Sequence, residues 1–339
     1  MRPLTALLIT DDRPGHYHLS EGILAAARRI RPVEVIRLRV TRRWSPHALA
    51  AMWNAGLPAR WLLRLAYGLD AAALPKADFV VSAGAETLTA NVAAGRILAV
   101  PNLFYGSLRW FPADSFALVL TSYAENAGRP RHVMMIKPSS IALTNAHADI
   151  RFGVDRPPAT AGLLVGGDTS GFRYTAADWQ YLLAFLDEFH RVFGTRWLVT
   201  NSRRTPAEAS DALKAKAAAG SAIGNFVDVR TAGAGTLGGV LETSEVILCT
   251  DDSSSMISES VAARRPVVGI RPAQSAFTSQ EAGYRRHLSD SNWYRSIAIA
   301  DLTPSRLLAE LATIQPLSAD PLDQLATVLR ERLPDLFDR

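Results

Sequence analysis

Cysteine is almost missing from this sequence: Cys249 is the single one, inside the apolar run VILCT. One cysteine excludes an intrachain disulfide and a cysteine-rich metal centre. Long hydrophobic runs are missing as well. No stretch reaches the roughly 20 apolar residues of a membrane span, and Arg2 and Pro3 precede only a short strand-like run, so no secretory leader is read. The expectation is a cytoplasmic protein. Several chemical signatures are also lacking. There is no GxGxxG, no Walker A sequence, no HExxH and no GxSxG, which removes the dinucleotide, P-loop, zinc-protease and nucleophile-elbow readings. No metal and no cofactor is expected. Low-complexity segments and short-period repeats are absent too.

What is present is a chain of 339 residues, 48% of them apolar, enough for two domains with sizeable cores. The formal charge of +5 is unevenly placed. Residues 1–150 hold 17 Lys and Arg against 10 Asp and Glu, or +7; the remainder holds 20 against 22, or −2. The basic first half suits anionic lipid, nucleic acid or an acidic substrate. Within it, residues 40–70 interleave Trp44, Trp53, Trp61 and Tyr67 with Arg42, Arg43, Arg60 and Arg64. That mixture fits an anionic membrane interface. It equally fits two core-packed helices broken near Gly56–Pro58. Nothing in this apolar stretch suggests the exposed stacking platform of a nucleic-acid binder, so nucleic acid is not expected as a partner.

The apolar periodicity alternates between strands and helices. Leu4–Thr10 reads as a buried strand, DDRPGHYHLSEG as a loop, Ile23–Ile30 as a helix and Val33–Arg39 as a strand. This is the opening of a doubly wound sheet, whose ligands sit at the C-terminal ends of its strands. Asp11, Asp12, His16 and His18 crowd that first loop. Further strands are expected at Phe79–Ser82, Ile97–Val100, Leu118–Thr121 and His132–Ile136, with AGAET (Gly84 and Glu86 among them) opening a helix after the first of these. Residues 138–160 lose periodicity and read as a linker. The pattern then restarts: a strand at Ala161–Val165, the glycine-rich turn GGDTSGFRYT, a helix at Ala176–Phe193, strands at Arg196–Thr200 and Asn225–Arg230, and terminal helices over 303–313 and 321–333.

The central stretch is Val246–Ile270, VILCTDDSSSMISESVAARRPVVGI, read as strand, loop, helix, strand. Asp251–Ser255 offers several N-caps. Ser253, Ser254, Ser255 and Met256 stand at a helix start, where unpaired N–H groups and the helix dipole suit phosphate. Glu259 falls about 6 Å further along the axis, placed for two ribose hydroxyls. A well-capped helix with no ligand is the competing reading. The other loops of this half carry Gly166, Gly167, Asp168, Thr169 and Ser170, then Ser202, Arg203 and Arg204. Glycines let a backbone approach a phosphate closely, and arginines hold a diphosphate without a metal.

VTNSRRTP together with TDDSSSMISESVAARRPVVGI, after a DDRPGH opening, resembles the plant mitochondrial-fission ELM family and its bacterial relatives, which look like glycosyltransferases of GT-B architecture. More distantly, the S-x-x-x-E helix start resembles that of nucleotide-sugar transferases such as the one completing lipid II. The glycine-pair loop departs from the family's GGPSRHY. The resemblance implies an α/β chain of two Rossmann-like doubly wound domains facing a cleft: an acceptor domain over 1–137, a linker over 138–160, a nucleotide-sugar domain over 161–320, and a C-terminal helix, 321–339, that crosses back to the first domain. It implies a nucleotide-sugar donor as substrate and a glycan or lipid-linked acceptor of the cell envelope. Ser255 would meet the diphosphate and Glu259 the ribose. Gly15, Gly84 and Glu86 would lie on the acceptor side, with His16 and Asp12 catalytic. An imidazole is the side chain whose ordinary range suits proton transfer near neutral pH. Peripheral docking on the inner face of the cytoplasmic membrane is compatible with this. Two other activities stay open: a non-catalytic membrane-surface adaptor and a nucleotide-sugar epimerase.

Overall fold

The computed structural model describes every residue except Met1, Asp12, Ala142, 144–149, Ser221, 234–235 and Arg339. The chain forms two compact units, one of Met1–Ser140 with Ala319–Arg339 and one of Ile141–Ser318.

In the first unit the chain runs β1 (Leu4–Thr10), α1 (Pro14–Ile30), β2 (Val33–Arg39), α2 (Pro46–Asn54), α3 (Ala59–Tyr67), β3 (Phe79–Ala83), α4 (Leu88–Leu98), β4 (Asn102–Tyr105), β5 (Leu118–Thr121) and β6 (His132–Met134). The six strands make one parallel sheet ordered β2-β1-β3-β4-β5-β6. Parallel strands with crossover connections bury both faces, and β3, β4 and β5 are buried throughout. Chain order reverses between β1 and β3. The loops leaving those two strands therefore diverge and open a crevice at the strand ends.

The second unit runs β7 (Thr160–Leu164), β8 (Phe172–Arg173), α5 (Ala176–Phe193), β9 (Arg196–Thr200), α6 (Ala207–Ala218), β10 (Ile223–Val227), α7 (Val229–Ala232), α8 (Thr236–Thr243), β11 (Val246–Thr250), α9 (Ser254–Ala262), β12 (Val267–Arg271), β13 (Gln274–Ser275), α10 (Ser279–Asp290), β14 (Tyr294–Ala298) and α11 (Pro304–Thr313). Its parallel sheet is ordered β10-β9-β7-β11-β12-β14, with β8 and β13 pairing separately as a short antiparallel ribbon. Here the order reverses between β7 and β11. Both units are thus parallel-sheet α/β domains of the Rossmann-like kind. The chain ends with α12 (Pro321–Arg332) and α13 (Pro334–Phe337), which belong to the first unit. Leu322, Leu325, Leu329 and Phe337 enter the core that α1 shares with β1 and β3. Arg29 of α1 binds Asp320 at 3.0 Å.

Several sequence expectations shift. The stretch DDRPGHYHLSEG is not a loop throughout: α1 begins at Pro14. Proline at a first helical position has the right φ and loses no bond, and the Asp11 carboxylate accepts the Arg13 N–H at 3.1 Å just before it. Ile97–Val100 is not a strand. Ile97 and Leu98 finish α4, Ala99 ends it in the left-handed region (φ 54°), and the strand starts after Pro101. Those apolar side chains pack on the core from the helix, so an apolar run alone could not tell helix end from strand. The strand expected over Asn225–Arg230 stops at Val227, because the Asp228 side chain accepts the Arg230 N–H and starts α7. Much of 138–160 lies outside the described residues.

Residues 40–70 form α2 and α3, divided at Gly56 (φ 87°). Leu49, Ala50, Leu62, Leu63 and Ala66 are buried against the sheet, and the Trp53 indole N–H donates to the Ser115 hydroxyl at 3.0 Å. Trp44 and Trp61 remain half exposed. Among the described residues no helix is long and apolar enough to cross a membrane.

Candidate functional site

In the second unit, the loops after β7, β9 and β11 meet at the reversal point. The Gly166 N–H donates to the Thr250 hydroxyl at 2.6 Å. The Gly167 N–H donates to the Asp252 carboxylate at 3.1 Å. No side chain fits at either glycine: a Cβ on Gly166 would enter the Asp252 carboxylate, and one on Gly167 the Arg204 carbonyl. The Thr205 hydroxyl fastens the third loop by donating to Val165 and Gly166 carbonyls at 3.0 and 2.5 Å. Asp252 is the common anchor. Its side chain is fully buried, and it also accepts Arg204 at 2.7 Å and the Tyr174 hydroxyl at 3.1 Å. Burial first, and the Asp252 charge after it, pushes the Tyr174 pKa up, so this hydroxyl stays a donor.

Of the expected caps of α9, Asp251, Asp252 and Ser254 are used elsewhere. The Asp251 carboxylate is buried and accepts the Tyr294 hydroxyl, along with the Ser296 hydroxyl at 2.6 Å. Asp252 holds the β7 loop. The Ser254 hydroxyl donates to Glu281 of α10 at 2.6 Å. Ser253 takes the N-cap position without a side-chain hydrogen bond. The helix consequently starts uncapped beside the glycine pair, in contrast to α5, α10, α11 and α12, whose N-caps all bond through a side chain. An uncapped N-terminus leaves first-turn N–H groups for water or an anion. Ser255 is exposed and Met256 half-buried at this start, while Glu259, one turn on, is buried.

Arginine roles divide. Arg204 is bound to Asp252, whereas Arg203 is exposed and makes no ion pair among the described residues. Ser202 turns the loop, its hydroxyl accepting the Arg204 N–H at 3.2 Å. Asp168 closes its own turn, accepting the Tyr174 N–H at 3.0 Å and Arg173 at 3.0 Å. The Tyr174 N–H holds its carboxyl below the usual range. A carboxylate next to a glycine pair is thereby explained: it shapes the loop. Thr169 helps, its hydroxyl accepting the Gly171 N–H at 3.2 Å. Ser170 is exposed.

At the first unit's reversal point, His16 stands on the first turn of α1, which also starts without a side-chain cap. Its Nδ1 lies 2.8 Å from the buried Asp11 carboxylate. A carboxylate only accepts, so Nδ1 carries a proton toward it, and in the neutral ring it is Nε2 that keeps the lone pair. Gly84, at the end of β3, lies against the imidazole in the left-handed region (φ 84°); a Cβ there would enter the ring. Gly15 is exposed beside it. The Glu86 carboxylate is occupied by Arg42, accepting its backbone N–H and lying 3.3 Å from its guanidinium. Asp12 lies outside the described residues.

These sheets and loops place the chain among known proteins. Residues 14–333 match the family described as Mitochondrial fission ELM1. The chain belongs to that family. No curated protein matches it. Among solved structures, this ELM1-family chain is similar to the glycotransferase of kitacinnamycin (14% identity, 99% of this chain and 96% of that one, TM-score 0.51). It is similar to MurG of Acinetobacter baumannii (14%, 97% and 100%, TM-score 0.53). It is also similar to the UDP-GlcNAc 2-epimerase of Methanocaldococcus jannaschii, solved with UDP-GlcNAc and UDP (11%, 97% and 100%, TM-score 0.51). At such identities the likeness is one of fold, that of the GT-B glycosyltransferases and their epimerase neighbours.

Asp11 was read from the sequence only as one of the residues crowding the first loop, and Thr205, Tyr174 and Asp252 were not singled out as site residues, although the four organise both crevices of the ELM1-family chain. The signal for Asp11 was its spacing, five residues before His16 across a proline-started helix. For Asp252 there was none, since its partners come from three separate loops.

Proposed function

We propose that the chain is a GT-B glycosyltransferase that moves a sugar from a nucleotide-sugar to a glycan or lipid-linked acceptor of the cell envelope, with no required metal. The observation that carries this is the uncapped start of α9, preceded by Asp252, which is bonded to Gly167 and to Arg204, the neighbour of Arg203, itself exposed and without an ion pair among the described residues. The donor diphosphate lies against the first-turn N–H groups and Arg203, with Glu259 for the ribose. Its loops are held by Asp252, so Arg204 serves the donor through a fixed loop more than as a free cation. On the acceptor side His16 acts as general base through Nε2, with Asp11 fixing its tautomer. The acceptor oxygen attacks the anomeric carbon as its proton passes to His16. The bond to the diphosphate breaks, and the charge that develops there is met by N–H groups and guanidinium.

Ligand-detected binding with UDP-, GDP-, CMP- and ADP-sugars tests the donor half. One of these should bind, and Arg203→Ala should weaken it; no binding by any of the four would remove the proposal. Release of an epimerised nucleotide-sugar without any acceptor would instead favour the epimerase reading, which the fold also accommodates.

A further inference from the structure

The first unit carries a cationic surface cavity, apart from its reversal point. Between β4 and β5, and again between β5 and β6, the connections contain only single 3-10 turns, Ala113–Ser115 and Ala124–Asn126. A doubly wound sheet ordinarily has helices there. The connections border a surface cavity of about 470 Å³, lined by His47, Arg109, Trp110, Asn126, Arg129 and His132 among others, with no carboxylate in its lining among the described residues. That volume lies in the range of small-molecule sites. Arg109 and Arg129 are exposed and make no ion pair among the described residues. The His132 Nδ1 donates to the Pro130 carbonyl at 2.8 Å, which leaves Nε2 for another partner.

The backbone here is strained as well as cationic. Arg109 (φ 46°) and Trp110 (φ 77°) are both in the left-handed region, which side chains other than glycine rarely enter, and such strain gathers at ligand clamps. It is fixed from outside: the Asn54 side chain donates to the Trp110 carbonyl at 3.2 Å. The indole so presented is 71% exposed, with its ring 4.3 Å from that of His47. Apart from this contact with His47, the indole faces outward beside arginines that make no ion pair among the described residues.

We propose that this cavity binds a phosphate monoester borne next to a ring. Arg109 and Arg129 take the phosphate through charge-assisted hydrogen bonds, and the Trp110 face takes the ring. The site does not depend on the transfer reaction proposed above. The phosphate can come from a soluble ring phosphate or from a lipid headgroup.

Calorimetric titration of the full chain with phenyl phosphate and with inorganic phosphate tests it. Phenyl phosphate should bind more tightly. Arg109→Gln with Arg129→Gln should weaken both ligands by about tenfold or more, since two charge-assisted contacts are lost. Trp110→Gly keeps the left-handed backbone and should remove only the preference for the ring. Vesicles of phosphatidylinositol 4-phosphate, set against phosphatidylglycerol at equal total charge, identify the source. Preference for the monoester headgroup, lost in the double variant while phenyl phosphate binds weakly, would assign the phosphate to lipid. Equal affinities in the parent chain and the folded double variant, or no binding of phosphate and no headgroup preference, would overturn the proposal.

Discussion

His16 owes its chemical character to two neighbours, the carboxylate of Asp11 at 2.8 Å and the bare backbone of Gly84. His16→Ala should lower turnover by roughly 10²–10⁴-fold with donor affinity unchanged. Asp11→Asn should lower it too, because an amide can donate as well as accept and so can meet Nδ1 in the wrong tautomer. Steady-state kinetics beside donor titrations check both; full activity in His16→Ala would take the base role away from it. Glu259 supplies the donor-side test. Glu259→Gln should weaken nucleoside-diphosphate binding by about tenfold or more while pyrophosphate binding hardly changes, since pyrophosphate has no ribose. Equal nucleoside-diphosphate affinity in both proteins would reduce Glu259 to a buried helix residue.

At the scale of the element, α12 is joined to its unit by apolar packing together with the ion pairs of Arg29 to Asp320 and Asp323. Leu329 is fully buried between α12 and the core of the first unit. Leu329→Ala should cost about 2–5 kcal/mol, read as a lower urea midpoint for the first unit; an unchanged midpoint would mean that α12 adds little to it. Elements with strong periodicity could be read from sequence. β1, β2, β5, α5, β9 and β11 have the boundaries their apolar patterns announce. The losses have causes. α10 is polar along most of its length, with only Tyr284, Arg285 and Leu288 buried, so it left no apolar stripe to find. Helix α1 begins earlier than its apolar residues because Pro14 sets its start. The site shows the same division. Local features such as the serine-rich start of α9 and the pair Arg203–Arg204 could be seen in one stretch. What Ser254, Asp252 and Arg204 do depended on partners 27 to 85 residues away, and no local pattern carries that.

Across the whole molecule the charge is split, with +7 on residues 1–150 and −2 on the rest. The half-exposed Trp44 and Trp61 sit on the basic part. The first unit is therefore expected to dock on anionic vesicles, and co-sedimentation should weaken with salt, since exposed charges are screened over about 10 Å at 0.1 M. Equal partitioning onto neutral vesicles would count against it. The connectivity of the units bears on how the protein is made. The second unit, Ile141–Ser318, interrupts the first, whose last helices come from Ala319–Arg339. A ribosome adding about 5–20 residues per second needs on the order of 10–40 s to cross the interruption. Throughout that interval the nascent first sheet is complete in its strands, while the apolar side of α1 that α12 will cover stays open. The later-made unit can thus finish folding first, and the earlier one waits on the ribosome with a sticky face that chaperones would recognise.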